Sequence, residues 1–255
     1  QILMNIQKIF LLTAIALSSQ IIFAENSFTE SFKGKPKINA NFYVFAADID
    51  GTLSEGNIKY NADQPFSDTL KNLDQVYMGY LDFSKGDWGI YIDKQLVKTS
   101  KDESIYNIPL ALETKLDQTS YGIYYQAYKS PTENSLKRPK LIFEPTIGIH
   151  HTEAEATVAA LGLTKKVDIN WNEFFWGARL RYNFDSPWNL ASEVTVGAEN
   201  TLSAHTYIGY NIPVFKRIIN LRAGYRYFHQ DYTSGNFRWD ITEKGPVIGF
   251  NVPIF

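Results

Sequence analysis

The chain of 255 residues contains no cysteine, so it forms no disulfide; this suits an oxidising compartment and is equally at home in a reducing one. It also lacks a charge of one sign: 25 basic against 27 acidic side chains leave a formal charge of -2, with no long Lys/Arg run. That excludes the electrostatic footprint of a nucleic-acid partner. Histidine is scarce, at four residues. Beyond residue 24 there is no stretch of 18 consecutive apolar residues, which excludes a later transmembrane helix. If the mature chain meets a membrane, it does so as strands.

What the chain does have is aromatic residues, 15% of the total with 17 Phe and 16 Tyr, at a mean hydropathy of only -0.24. Such a composition comes from alternating apolar with polar residues. The N-terminus is different in kind. "MNIQKIFLLTAIALSSQIIFA" begins at Met4, carries one positive charge at Lys8, runs apolar from Ile9 to Leu17 and reaches the small residue Ala24. This is the pattern of a secretory signal peptide, with cleavage after Ala24 and with "QIL" ahead of Met4 as translated upstream sequence. The expected division is 1–24 upstream residues plus signal peptide, 25–38 a periplasmic N-terminal segment, and 39–255 the folded unit.

Period two dominates the remainder. In "NEFFWGARLRYNF" the residues Phe174, Trp176, Ala178, Leu180, Tyr182 and Phe184 share one face, opposite Glu173, Phe175, Gly177, Arg179, Arg181 and Asn183. "IINLRAGYRYFHQ" sets Ile219, Leu221, Ala223, Tyr225 and Tyr227 against Asn220, Arg222, Gly224 and Arg226. The stretches around 188–199 and 201–212 repeat the pattern. Each is ten or more residues long, whereas a soluble strand averages about 5 to 6 and a tilted bilayer-crossing strand needs about 9 to 11.

Short links, "KGD" at 85–87, "FDSPW" and "IPVFK", alternate with longer polar connections at 51–73, 98–107, 159–170 and 231–240. The expected strands lie near 39–50, 74–84, 88–98, 109–129, 140–158, 171–184, 188–199, 201–212, 218–230 and 242–255. The fold class is therefore all-β: a single closed antiparallel transmembrane β-barrel of about ten strands (8–12), with short periplasmic turns and long extracellular loops. Closure gives every backbone N–H and C=O a partner in hydrocarbon. Trp88, Tyr182, Phe184, Trp188 and Phe255 would form the aromatic girdle at the short-turn interface, with Trp171 and Tyr227 near the opposite rim.

The signal peptide, the alternating strands and the terminal Phe255 resemble the outer-membrane β-barrel proteins of Gram-negative bacteria. The resemblance implies residence in outer-membrane lipid and handling by the barrel assembly machinery, which reads a terminal Phe. The alternate positions counted back from Phe255 hold Pro253, Asn251 and Gly249, however, and the apolar set is Ile248, Phe250, Val252 and Ile254. More narrowly, "DIDGTLSEGN", "FSDTLKNLDQVYMGYLDFSKGDWGIYID" and "FRWDITEKGPVIGF" resemble a family of uncharacterised barrel proteins in which Gly-Pro opens the last strand. That resemblance implies a fold and no activity.

The polar faces carry the candidate lumen or pore-lining residues: Glu144, His150, Glu173, Arg179, Arg181, Glu193, Glu199, His205, Arg222 and Arg226. Two functions fit them. A charged network would fill the lumen of a structural or surface-interaction protein, with glycines 148, 177, 197, 209 and 224 packed against Phe175, Phe228 and Tyr207; or those glycines would leave a narrow porin-like channel for small solutes or ions. A rim-located enzyme built on His229, Asp231 and Asp240 is a weaker alternative, because no catalytic spacing supports it, and none is expected. "IHHTEAE" offers His151, Glu153 and Glu155 on one face and His150 on the other, so no metal site is expected; no cofactor is expected either. Asp48 and Asp50 of "DIDGT" lack the fold context of a phosphatase or a calcium loop, and Gly51 would open a turn. In "PFSDTLKNL" Ser67 or Asp68 would cap a short helix folded over the barrel mouth.

Overall fold

The computed structural model describes residues 31–105, 108–132, 138–198 and 200–254. The expected signal peptide, Glu199 and Phe255 lie outside these residues. The strands are β1 (Lys37–Phe45), β2 (Asp48–Glu55), β3 (Ile58–Gln64), β4 (Leu73–Lys85), β5 (Trp88–Ile105), β6 (Ile108–Tyr125), β7 (Tyr128–Lys129), β8 (Leu141–Ala160), β9 (Leu163–Asn183), β10 (Trp188–Gly197), β11 (Leu202–Val214), β12 (Arg217–Ser234) and β13 (Phe237–Pro253). Among the described residues one helix, α1 (Phe66–Lys71), interrupts them.

Antiparallel pairing runs β1-β4-β5-β6-β8-β9-β10-β11-β12-β13 and returns from β13 to β1 through Asn39↔Pro253 to Phe45↔Val247. The sheet is closed, with ten staves. β1 and β2 are a single stave in one register along β13, since Phe45 faces Val247 and Asp48 faces Lys244. The gap between them lies opposite Gly245-Pro246, where proline has no N–H to give. Gly-Pro therefore sits mid-strand in β13 and does not open it. Gly51 likewise lies inside the ladder, paired with Ile241, and the turn comes at 56–57.

The long polar connections are long excursions, but they are built as ladder and not as coil. β8 and β9 stay in register from Leu141↔Tyr182 to Ala160↔Leu163, closed by Leu161 and Gly162 at φ 51° and 76°. Two consecutive positive φ values match the twist of the hairpin, which is why so short a turn suffices. At about 3.3 Å per residue the 21 residues of β9 extend roughly 70 Å, far more than a membrane crossing needs.

The outer face divides in two along that length. Nearest the short turns it is apolar: Ile90, Ile147, Phe174, Trp176, Tyr225 and Ile248 are each at least 44% exposed. In water this belt would be a large sticky patch; in lipid it is the solvated surface. Trp88 stacks on Phe32 and tilts against Tyr125, Tyr182 packs on Phe184, and Trp188 packs on Tyr210, all toward the short-turn rim. Above Ile92, Tyr121, Ile149 and Phe174 the outward residues turn polar, and Lys94 meets Asp117 at 2.7 Å.

β10 and β11 end at this level while their neighbours continue upward. Two walls result, β5-β6-β8-β9 and β12-β13-β2-β3, whose inner faces meet in an apolar crown. Trp171 stacks on Tyr232 at 4.7 Å and 7°, and tilts against Trp239 at 5.3 Å; Leu116, Ala154, Ile169, Ile49 and Leu53 surround them. Trp171 is thus an interior residue and not a rim girdle residue, because it shares the parity of Glu173 and Phe175. Helix α1 splices β3 to β4 on the flank of the first stave. Its N-cap is Pro65, without a side-chain cap, and the Phe66 N–H is taken by Asp48 Oδ1 at 2.8 Å. Asp48 sits on the outer face beside Lys244, so the helix is held in the wall and does not lie across the mouth; Ser67 and Asp68 do not cap it.

Candidate functional site

Inward side chains fall in layers. The lowest is an amide belt, in which Asn220 Nδ2 donates to Asn211 Oδ1 at 2.8 Å and Arg222 reaches Asn220 and Asn41. Above it sits Arg179. Its guanidinium faces Glu193 at 3.5 Å, Glu144 at 3.6 Å and Asp82 at 3.7 Å, and lies over the Tyr124 ring, 4.0 Å from the centroid. The tyrosines around it bind the same carboxylates: Tyr91 Oη donates to Glu193 at 3.0 Å and Tyr124 Oη to Asp82 at 3.1 Å. Glu144 is fully buried and takes Arg181 and Gln126 on Oε1. Arg226 donates to Asp93 at 2.8 Å, and Tyr43 Oη reaches the other oxygen at 2.5 Å.

Mid-height is packed with aromatic rings and amides. His150 stacks on Phe175 at 4.2 Å and meets Phe228 edge-on; its Nδ1 shares a hydrogen bond with Ser120 at 2.7 Å. Gln230 links Thr152 to Glu173, and Gln118 donates to Glu243 at 2.6 Å. The lumen glycines seat these rings. A methyl on Gly122 would lie 2.2 Å from Tyr91 Cζ, on Gly89 2.1 Å from Tyr124 Cζ, on Gly148 2.4 Å from Phe175 Cζ and on Gly224 2.8 Å from Tyr207 Cδ1.

All nine of the described lumen candidates face inward: Glu144, His150, Glu173, Arg179, Arg181, Glu193, His205, Arg222 and Arg226. Arg179, Glu144, Arg181 and Glu193 form one network, to which His205 comes within 3.9 Å through Glu193. His150 and Glu173 belong to the layer above. Residues missing from the sequence-derived set are Tyr43, Tyr80, Asp82, Tyr91, Asp93, Tyr124, Gln118, Gln230 and Glu243. The signal for four of them was the same alternation in "YLDFS" and "WGIYID", where Tyr80, Asp82, Tyr91 and Asp93 interleave with outward Leu81, Phe83, Ile90 and Ile92.

Outside the barrel, His151 contacts Asn172, and the Glu153, Glu155 and Asp168 oxygens cluster within 4.8 Å. Lysines fill that cluster: Lys115 reaches Glu153 at 2.6 Å and Glu155 at 2.8 Å, and Lys166 reaches Glu155 at 2.5 Å. Asp231 and Asp240 both pair with Arg238, while His229 shares a hydrogen bond with Thr242.

A closed antiparallel sheet with an apolar outer belt and a polar interior is a transmembrane β-barrel. No protein-family model matches the sequence, and no curated protein matches it. Among solved structures, the attachment invasion locus protein Ail of Yersinia pestis, in complex with the heparin analogue sucrose octasulfate, is similar over 87% of this chain and 99% of its own, at 11% identity and a TM-score of 0.38. The toluene transporter TodX of Pseudomonas putida is similar over 89% and 92%, at 11% identity and a TM-score of 0.24. At such scores neither likeness bears on function, and the fold assignment rests on the ladder itself.

Proposed function

We propose that this chain is an integral barrel of the Gram-negative outer membrane, exported by the segment Met4–Ala24, whose lumen is a filled scaffold and whose role is structural or surface interaction. The observation that carries this reading is the seating of Tyr91, Tyr124, Phe175 and Tyr207 on lumen glycines. Those glycines make room for rings and not for water. The apolar crown of Trp171, Trp239 and Ile241 closes the lumen again above them. A passage for ions would have to break both layers, so the narrow-channel alternative is the weaker one. What the barrel offers to its surroundings is then the two-walled crown, a rigid surface rather than a set of loops. Outer-membrane lipid and the barrel assembly machinery are its proposed partners in biogenesis.

The experiment is single-channel recording. The mature chain is refolded in detergent until its electrophoretic mobility is heat-modifiable, then added to a planar bilayer. Folded, inserted protein that carries no current agrees with a filled lumen. Stable conductance steps whose ion selectivity changes in Arg179→Glu would overturn it.

A further inference from the structure

The lower lumen is the exception to this filling. It holds a cavity of about 160 Å³, lined from Asn39 and Asn251 near the short-turn rim to Asp93, Glu193 and His205. It has room for a solute of several heavy atoms with some water.

Charge around it is unevenly satisfied. Four guanidiniums (Arg179, Arg181, Arg222, Arg226) and four carboxylates (Asp82, Asp93, Glu144, Glu193) stand in or beside this space, and formally they cancel. The pairing does not follow that balance. Arg179 faces three of the carboxylates, Arg181 shares Glu144, and Arg226 takes Asp93. Arg222 faces none among the described residues. Its Nε donates to Asn220 Oδ1 at 2.7 Å and its Nη1 to Asn41 Oδ1 at 2.9 Å, so two of five donors go to neutral amides. A guanidinium enclosed in a barrel without a counter-charge is costly, and neutral amides offset only part of that cost.

A second observation points to the same space. Tyr80 and His205 line the cavity, and Tyr80 Oη and His205 Nδ1 are buried with no hydrogen-bond partner among the described residues. Two nearby carboxylate oxygens are engaged by other hydroxyls, Asp82 Oδ1 by Tyr124 and Glu193 Oε1 by Tyr91, and Asp82 Oδ2 faces Arg179 at 3.7 Å. An unused Tyr80 hydroxyl and the Arg222 guanidinium, which has no carboxylate partner among the described residues, therefore border the same cavity.

We infer that the lower lumen is a binding pocket for a small oxyanion, a carboxylate or phosphate group, with Arg222 as its anchoring charge and entry from the short-turn side. Arg suits this role because its planar fork meets two oxygens at once. The pocket depends on the filled lumen proposed above only for its dead end. Conductance and binding are separate readouts: a conducting barrel that binds leaves the pocket standing, and a silent barrel that does not bind removes it.

The test is isothermal titration of inorganic phosphate and of acetate into the full mature chain, folded in a non-ionic detergent so that no lipid phosphate is present. Wild-type protein should show saturable binding of at least one of the two probes. Arg222→Gln should weaken it tenfold or more, and Arg222→Lys, which keeps the charge and loses the fork, should weaken it less. Lys115→Gln, on the outer face of the crown, should bind as the wild type does. Heat-modifiable mobility verifies the fold of each variant, and if Arg222→Gln does not fold, Arg222→Lys decides with a several-fold loss. Absence of saturable binding for both probes, or affinity unchanged in the folded Arg222 variants, overturns the assignment. Binding that appears only when phospholipid is added back would identify a lipid headgroup, not a free solute, as the source of the oxyanion.

Discussion

Glu144 is where the filled lumen is most exposed to test. Its carboxylate is fully buried, with Oε1 accepting from Arg181 Nη2 and from Gln126 Nε2 at 2.9 Å and Oε2 facing Arg179 Nε at 3.6 Å. Glu144→Gln keeps the shape and removes the charge. Arg179 retains Asp82 and Glu193, so the residue left without a counter-charge is Arg181. Breaking a buried pair by removing one partner costs about 3–5 kcal/mol. The Arg181 side chain is 38% exposed to the cavity, where water partly screens the orphaned charge, which lowers the expected loss to about 2 kcal/mol. With a urea dependence of about 2 kcal/mol/M, the unfolding midpoint should fall by about 1 M. The assay is urea unfolding in detergent, followed through loss of the heat-modifiable band. Glu144→Gln combined with Arg181→Gln should recover more than half of the loss, because no lone charge then remains. A midpoint that moves by less than about 0.2 M, or a double variant as weak as the sum of the singles, would refute the network.

Two further expectations concern the crown. Trp171→Ala removes the stacking ring between the two walls, at a cost of about 3–5 kcal/mol confined to that layer. Limited proteolysis should then cut within 58–64 or 163–170 while the membrane-embedded part stays heat-modifiable; unchanged protection would show that the walls do not depend on one another. The second is electrostatic. Outside the membrane belt, Lys115 first and Lys166 next hold the Glu155 carboxyl down to about 2, against about 4.3 in an unfolded chain. Because the folded value is the lower one, the stabilisation is present above about pH 4.3 and disappears as pH falls through about 2. Lys115→Gln should raise the Glu155 value, read by carbon-13 NMR titration of its carboxyl, and an unshifted titration would remove Lys115 as the cause.

Much of this protein could be read in advance because period two is a local property. Phe174, Trp176, Leu180 and Tyr182 alternate with Glu173, Arg179 and Arg181, and no long-range contact is needed to see that one face is apolar and the other charged. The even count of long strands, and hence closure, followed from the spacing of turns. Alternation alone does not tell where the lipid ends, since Trp171 obeys the same parity as Arg179 although one lies in the crown and the other in the lower lumen.

The chain by itself thus determined the staves, their facing and the charged interior, since side-chain direction on a strand is dictated by the backbone at each residue. Only the tertiary structure decided which charges meet. Arg179 reaches Asp82 on β4, Glu144 on β8 and Glu193 on β10, whereas Arg222, with the same side chain on the same kind of face, reaches none among the described residues. Those partners depend on the stagger of closure, a property of all ten staves together that no single segment encodes.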